Sequence, residues 1–264
     1  MRSALSLGTA TLLLLGVACE DPALRALDEA QEASYRGDHE RAKAILDASL
    51  ESLRSRTDPE GLAARRRTLL LAGRTTQLFL RKPREALAYF ERLADEFPEA
   101  DETFEARVRM AEILSQDLGD RRGALAQWKA LVASFPKRPE TDLYQYQVVR
   151  TLFALGDYGP AHTEARILRE RFPDSEYIDD VRMLEGQALA SMGQCGQAME
   201  TFQKVIDSGS ELAPRAKVEI ADCLETLGRD KEALQIYLEA LESHPEPRIV
   251  QMKIDRLQRR LRRK

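Results

Sequence analysis

Two stretches decide the fold: Gly186-Gln-Ala-Leu-Ala-Ser-Met-Gly193 and Ala221-Asp-Cys-Leu-Glu-Thr-Leu-Gly228. Each begins with a small residue and ends with a glycine seven positions later. An alanine follows that glycine after five positions, and an aromatic residue stands four positions beyond the alanine. Glycine ends a helix readily because it adopts positive φ without strain, and residues four apart share one helix face. Each stretch therefore predicts a helix, a tight turn and a second helix packed against the first.

The alanine recurs six times, and in five of the six copies a bulky residue stands four positions after it. Successive alanines lie 44, 38, 37, 37 and 35 residues apart, a spacing typical of stacked helix-turn-helix units. The sequence therefore predicts an all-α solenoid of about six units, with one elongated core and no internal domain boundary. In order, the pairs are Ala42 and Leu46, Ala86 and Phe90, Ala124 and Trp128, Ala161 and Ala165, Ala198 and Phe202, and Ala233 and Tyr237.

The pattern resembles the tetratricopeptide repeat, in which a small residue lets two helices approach and an aromatic residue fills the space between them. A proline after the second helix adds to the likeness, because proline cannot continue a helix. Such prolines stand at Pro98, Pro136, Pro173 and Pro245. The resemblance implies a right-handed solenoid within residues 19–264, with a concave surface formed by the first helix of each unit. Surfaces of this kind bind extended peptides or helices.

Counting along the first helices gives six candidate partner-binding residues on the concave surface. They include aromatic and arginine side chains, which the centres of interfaces favour. A plain packing or surface role is the alternative for each. The candidates are Tyr146, Arg150 and Phe153 in the fourth unit, Met183 and Gln187 in the fifth, and Asp222 in the sixth.

The N-terminus predicts export. Arg2 precedes an uncharged, apolar stretch that ends at Ala18, and this order is typical of a signal peptide covering residues 1–18. The stretch is shorter than the ~20 residues that cross a bilayer comfortably. A permanent transmembrane helix is therefore disfavoured.

The segment Leu15-Gly16-Val17-Ala18-Cys19 resembles the lipobox of bacterial lipoproteins. The resemblance implies acyl chains on Cys19 that anchor the protein to a bacterial membrane from the periplasm, with the outer membrane favoured. Gly16 departs from the Leu, Val or Ile usual at its place, and Gly16 with Ala18 also suits the ordinary signal peptidase. Soluble export remains the alternative.

Cys195 and Cys223 would be left as an even pair in an oxidising compartment, where disulfides persist. Cys195 begins the second helix of the fifth unit, and Cys223 lies in the first helix of the sixth. These helices are neighbours in a stack, so the sequence leaves a disulfide between the two units open. The alternative is a pair of reduced core thiols.

Residues 247–264 predict a basic capping helix. Between residues 248 and 264 there are eight basic residues against the single Asp255, a net charge of +7. Apolar residues recur there at helical spacing, namely Val250, Ile254, Leu257 and Leu261. A solenoid needs such a helix to cover its last apolar edge. Contact with anionic lipid or an acidic partner is a second use left open by the sequence.

Composition and motifs exclude several functions. The net charge of −4 disfavours nucleic acid. The three histidines are scattered, and no second His or Cys stands at metal-ligand spacing. Phosphate-binding glycine motifs and nucleophile motifs are also missing. We therefore expect no catalytic residues, no metal, no cofactor and no small-molecule substrate.

A further resemblance concerns the links between units. Aromatic-proline pairs occur at Phe97-Pro98, Phe135-Pro136 and Phe172-Pro173, and Pro136-Lys-Arg-Pro-Glu-Thr-Asp-Leu-Tyr-Gln-Tyr146 combines two prolines, an aspartate and a tyrosine. These features are similar to envelope tetratricopeptide lipoproteins, in particular the lipoprotein subunit of the outer-membrane β-barrel assembly machine and the coordinator of the Tol-Pal system. The resemblance implies a non-catalytic scaffold that binds other envelope proteins through its groove. A soluble periplasmic binding module or a secretion or motility accessory protein is the alternative.

Overall fold

Six helix pairs follow one another along the chain, and a thirteenth helix closes the last pair. The computed structural model describes residues 21–263. Within them the α-helices are α1 (Pro22–Tyr35), α2 (His39–Ser52), α3 (Pro59–Arg74), α4 (Pro83–Glu96), α5 (Asp101–Glu112), α6 (Arg121–Ser134), α7 (Thr141–Ala154), α8 (Tyr158–Arg171), α9 (Ile178–Ser191), α10 (Cys195–Asp207), α11 (Ala213–Thr226), α12 (Asp230–Ala240) and α13 (Pro247–Arg262). The all-α solenoid of six units and a closing helix is confirmed. The predicted signal peptide and Cys19 lie outside the described residues.

A glycine or alanine in the first helix faces a large residue in the second, as the motif predicts. A Cβ atom added to Gly186 would lie 2.4 Å from the ring of Phe202, so α9 and α10 meet with no room for a side chain at this point. Gly73 and Phe90 repeat the arrangement in the second unit, again at 2.4 Å. Sequence analysis did not single out Gly73.

The fourth unit keeps the same packing, but its larger side chain is on the first helix and its smaller one on the second. Val149 of α7 stands seven residues before the turn glycine, where other units have glycine or alanine, and Ala165 of α8 stands where they have an aromatic. Both side chains are fully buried in one cluster. The fourth copy looks weak in sequence because its aromatic residue is missing, but the larger side chain of Val149 fills the volume that the smaller Ala165 leaves.

Each turn between paired helices contains one residue in the left-handed conformation, with positive φ. Glycines with positive φ occupy five of them, for example Gly193 with φ 77° and Gly228 with φ 74°. The second unit has Arg81 at this place, with φ 53°. This arginine adopts the conformation that glycine supplies elsewhere, which explains why the second turn looked irregular in sequence.

The second and third units each carry one residue more than the others between the first helix and the turn. The structure accommodates it as a π-helical turn at the end of the first helix, at Thr75–Phe79 and Ile113–Asp117. Inserting one residue into an α-helix produces such a bulge. The downstream turn and second helix thereby keep their positions relative to the stack.

The closing helix α13 buries Val250, Ile254 and Leu257 against the sixth unit. This burial covers the apolar edge that the last pair would otherwise expose. The basic side of α13 is less outward than the sequence suggested, because Arg256 and Arg260 point back and pair with Glu225 of α11 at 2.8 and 3.1 Å.

A buried carboxylate joins the fourth unit to the fifth. Glu185 of α9 is 3% exposed, and its two oxygens lie 3.0 and 2.9 Å from Nη2 and Nε of Arg169 on α8. His162 Nδ1 lies 3.1 Å from the same carboxylate. Nη2 of Arg169 donates the one hydrogen bond of this group, and the contacts of Nε and His162 are close in distance but lack hydrogen-bond geometry. The charge of Arg169 offsets part of the desolvation of Glu185, so the group links the two units.

Candidate functional site

A cleft of about 410 Å³ lies on the concave side of units four to six. Its walls come from the first helices of these units, α7, α9 and α11, which contact one another in sequence order. The start of α13 and the segment before it close one end with His244, Ile249 and Lys253. The cleft is thus a groove across three units with a built end wall.

Five of the six predicted groove residues line this one cleft. They are Tyr146, Arg150, Met183, Gln187 and Asp222. Phe153 does not line it. Its ring packs against that of Tyr158 at the start of α8, with centroids 5.4 Å apart, because Phe153 lies near the end of α7, where the chain turns back. Met183 is only 8% exposed, so it forms part of the cleft floor.

Tyr146 is held rigidly at the wall of the cleft. Its ring stacks on that of Tyr177 at a centroid distance of 5.0 Å and an interplanar angle of 5°. Burial raises the pKa of Tyr146 above its ordinary value. The neighbouring Arg150 is exposed, and together they present an aromatic face beside a positive charge.

Asp222 has structural partners besides its place in the cleft. The buried hydroxyl of Tyr237 contacts the carboxylates of Asp222 and Glu225, and Lys253 of α13 donates to Asp222. The pKa of Tyr237 is raised, first by burial and then by its hydrogen bond to Asp222. Asp222 therefore joins the end wall of the cleft to the sixth unit.

A second carboxylate in the cleft, that of Glu219, loses more free energy by burial of its charge than its hydrogen bond returns. Glu219 of α11 accepts a hydrogen bond of 2.6 Å from the side chain of Gln187 on α9. The pKa of Glu219 is raised because burial disfavours its charged form, a larger effect than the opposing hydrogen bond from Gln187. Burial likewise raises the pKa of Asp180 on α9. Two carboxylates of the cleft thus carry a desolvation cost.

Sequence analysis missed some of the cleft residues. Asp180 and Leu184 lie three residues before and one residue after Met183, and Glu219 lies three before Asp222. These three residues were predictable from helical spacing, because each lies three or four positions from a predicted cleft residue or from another member of the same helix face. Ile249 and Lys253 had no such signal, because only the docking of α13 brings them to the groove.

The concave surface has a second, shallower cleft near the N-terminal end. It lies between α1 and α3, has a volume of about 410 Å³ and includes Leu24, Leu70, Arg67 and Arg74. Leu24 is 41% exposed. None of these residues was predicted, since the first two units lack the complete motif.

The two cysteines are close neighbours across units five and six. Both are buried and present as free thiols. Burial, reinforced by a hydrogen bond with Cys195, raises the pKa of the Cys223 thiol to about 12. The neighbouring placement agrees with the stacking argument, and the disulfide itself stays a prediction.

No cluster of three or more His, Cys, Asp or Glu residues within residues 21–263 is arranged to hold a metal ion. No helix in that part of the chain combines the length and apolar character needed to cross a membrane.

Comparison with known proteins places the fold. A family model for the tetratricopeptide repeat matches residues 183–246, which span the fifth and sixth units, and no curated protein matches the sequence. The described chain folds as a tetratricopeptide-type solenoid, and the family match covers its last two units. Tetratricopeptide repeats generally provide surfaces that bind other proteins or peptides.

Several solved structures are similar to this chain. MamA has a TM-score of 0.53 at 18% identity, with 66% of this chain and 95% of MamA covered. PilW, a type IV pilus biogenesis factor, has a TM-score of 0.52 at 16% identity, and the match covers 89% of this chain and 99% of PilW. YrrB, a tetratricopeptide protein with a peptide-binding site, has a TM-score of 0.55 at 13% identity, and the match covers 70% of this chain and 90% of YrrB. At these identities the likeness is one of fold.

Proposed function

We propose that this chain is a non-catalytic scaffold of the bacterial envelope that binds a segment of another envelope protein in the cleft of units four to six. The observation that carries the proposal is the convergence of five predicted groove residues on one cleft built by three successive first helices. A groove of this kind offers what an extended segment or a helix needs: apolar floor, a rigid aromatic wall and charged rims.

The cleft is suited to a partner segment in three respects. Met183 gives an adaptable apolar floor. Tyr146 is immobilised by stacking, so little conformational entropy is lost when a partner packs against it. Glu219 and Asp180 are desolvated carboxylates whose cost a positive group of the partner would relieve.

Export and lipid anchoring complete the proposal and rest on sequence. Residues 1–18 have the order of a signal peptide, and Cys19 occupies the lipobox cysteine position. Acyl chains on Cys19 would hold the solenoid beside a membrane of the periplasm, the outer membrane being favoured. The likeness to envelope tetratricopeptide lipoproteins points to a role in envelope or outer-membrane protein assembly.

Site-specific crosslinking in cells tests the groove. A photo-crosslinking amino acid at Arg150 or Arg215, both exposed at the cleft, is expected to capture the same partner protein. The matched control is Arg166 on α8, which is exposed but outside the cleft. Equal capture from Arg166, or no specific product from either cleft position, would show that the groove is not the binding surface.

The state of Cys19 distinguishes the anchored scaffold from its alternative. Incorporation of labelled palmitate that disappears in Cys19→Ser is expected. A mature protein beginning with unmodified Cys19 would instead favour a soluble periplasmic module or a secretion or motility accessory protein. The same fold has a precedent for the latter in PilW, a pilus biogenesis factor.

A further inference from the structure

The outer face of α13 carries arginines that the rest of the described chain does not neutralise. Arg248, Arg259, Arg262 and Arg263 are exposed, and none has an ion-pair partner within residues 21–263. The other basic residues of the helix differ, since Lys253, Arg256 and Arg260 pair with carboxylates of the sixth unit. Capping the solenoid therefore uses only part of the positive charge of α13.

Exposed apolar side chains accompany these arginines. Ile249 is 46% exposed and Met252 is 71% exposed. They border a shallow depression of about 550 Å³ together with Lys253, Arg256, Arg259 and one carboxylate, Asp255, so its charged lining is three cations to one anion. Spacing of three and four residues places the two apolar residues and the two arginines on one side of the helix, opposite the buried Val250, Ile254 and Leu257. The helix thus has two apolar sides, one covered by the solenoid and one open.

We propose that this open face of α13 binds the surface of an anionic lipid membrane. Arginine guanidinium groups reach phosphate-bearing headgroups while their stems lie along apolar surface. Ile249 and Met252 would enter the boundary between headgroups and acyl chains. A bilayer matches this open, shallow face, because its headgroup region takes up the arginines and its acyl boundary takes up the apolar side chains.

The charge distribution supports an oriented contact. Residues 248–264 carry +7, whereas residues 19–247 carry −12. An anionic surface attracts the first segment and repels the second. The molecule would therefore approach through α13 with its acidic body turned away. Ile249 borders both this face and the end wall of the groove, but the inference requires neither a partner in the groove nor acylation at Cys19.

Vesicle co-sedimentation tests the proposal with the unacylated chain of residues 20–264, which includes every described residue. We expect binding to vesicles containing phosphatidylglycerol, no binding to phosphatidylcholine alone, and a steep loss as salt is added. The double variant Arg259→Gln, Arg263→Gln should bind about 25-fold more weakly, at about fivefold per arginine. Met252→Ser should also weaken binding, with the charge unchanged.

The matched control removes the same charge elsewhere. Arg121 and Arg122 are exposed at the start of α6, and Arg121→Gln, Arg122→Gln should bind like the parent. Circular dichroism checks that α13 remains helical in every variant. The proposal is overturned by equal binding to neutral vesicles or by an equal loss in the control. Binding to polyglutamate but not to vesicles would also overturn it, because the occupant would then be an acidic polypeptide.

Discussion

The backbone of α9 at Gly186 lies against the ring of Phe202, so close that an added Cβ atom would be 2.4 Å from it. Phe202 is fully buried, so its ring can give way only by displacing other core side chains. The same relationship between Gly73 and Phe90 occurs in the second unit. Glycine is required in these first helices by close approach, although it is a poor helix former.

Gly186→Ala is therefore expected to lower the free energy of unfolding by about 1–3 kcal/mol, the usual cost of overpacking a core. Urea unfolding measures this change. The control is Gly196→Ala, at a helical site with nothing within 4 Å of the added Cβ, where alanine should stabilise slightly through helix propensity. Equal effects at both sites would contradict the role given to Gly186.

Arg81→Gly is expected to stabilise the protein. Arg81 has a φ of 53°, a conformation that costs most L-residues about 1 kcal/mol or more. Glycine removes that cost but loses more entropy on folding, so the net gain should be about 0.5 kcal/mol in urea unfolding. The reciprocal change Gly193→Ala, at φ 77°, should destabilise. A loss of stability in Arg81→Gly would mean that its side chain has a role beyond the turn.

The contact between Cys195 and Cys223 predicts a disulfide when the chain matures in an oxidising compartment. Intact mass should then be lower by two hydrogens without reductant than with it. The bridge would close a loop of 29 residues and add roughly 3 kcal/mol in the chain-entropy model. Cys223→Ala should abolish the mass difference. Identical masses in protein isolated from its native compartment would show that the thiols stay reduced.

In the reduced protein, stability is expected to fall at alkaline pH. The pKa of Cys223 is raised to about 12 by burial from an ordinary value of 9.0. The contribution of the protonated Cys223 thiol to the free energy of unfolding is fully present below pH 9. It is lost as pH rises towards 12, because only the unfolded chain releases the proton in that window. Each such group contributes a slope of about 1.4 kcal/mol per pH unit. The pKa of Tyr237 is also raised, so its contribution to the free energy of unfolding falls in the same way above pH 10.

Urea unfolding between pH 8 and 10 in the presence of reductant measures that slope. Cys223→Ala should have a shallower slope than the parent above pH 9, whatever the change in its absolute stability. An unchanged slope in this variant would contradict the assignment to Cys223.

Glu219→Gln is expected to raise the stability at pH 7 by about 0.5 kcal/mol, within the usual gain from optimising surface charge. The raised pKa of Glu219 means that its charged form destabilises the fold above the pKa of the free carboxyl. The gain should disappear below about pH 4, where the parent carboxyl is protonated. Since Gln187 keeps an acceptor in the variant, packing is preserved. Loss of stability at pH 7 would contradict this prediction, because the attraction of Lys253 and Arg215 for Glu219 would then outweigh the cost of its burial.

Much of the cleft was predictable because helical spacing is regular. Tyr146 and Arg150 are four residues apart on α7, as are Met183 and Gln187 on α9, and each pair shares a helix face. Phe153 shows where this reasoning stops. Its position along α7 fits the groove, but its packing against Tyr158 depends on the chain turning into α8.

The sequence by itself determined the number and order of the six units, because the decisive contacts are local. Gly186 and Phe202 are 16 residues apart within one helix pair, so small and large residues at fixed spacing suffice to pair the helices. Tertiary structure alone decided the end wall of the cleft and the division of α13 into covered and open faces. Lys253 meets Asp222 across 31 residues, and such a contact exists only once α13 has docked on the stack and fixed which of its charges turn inward.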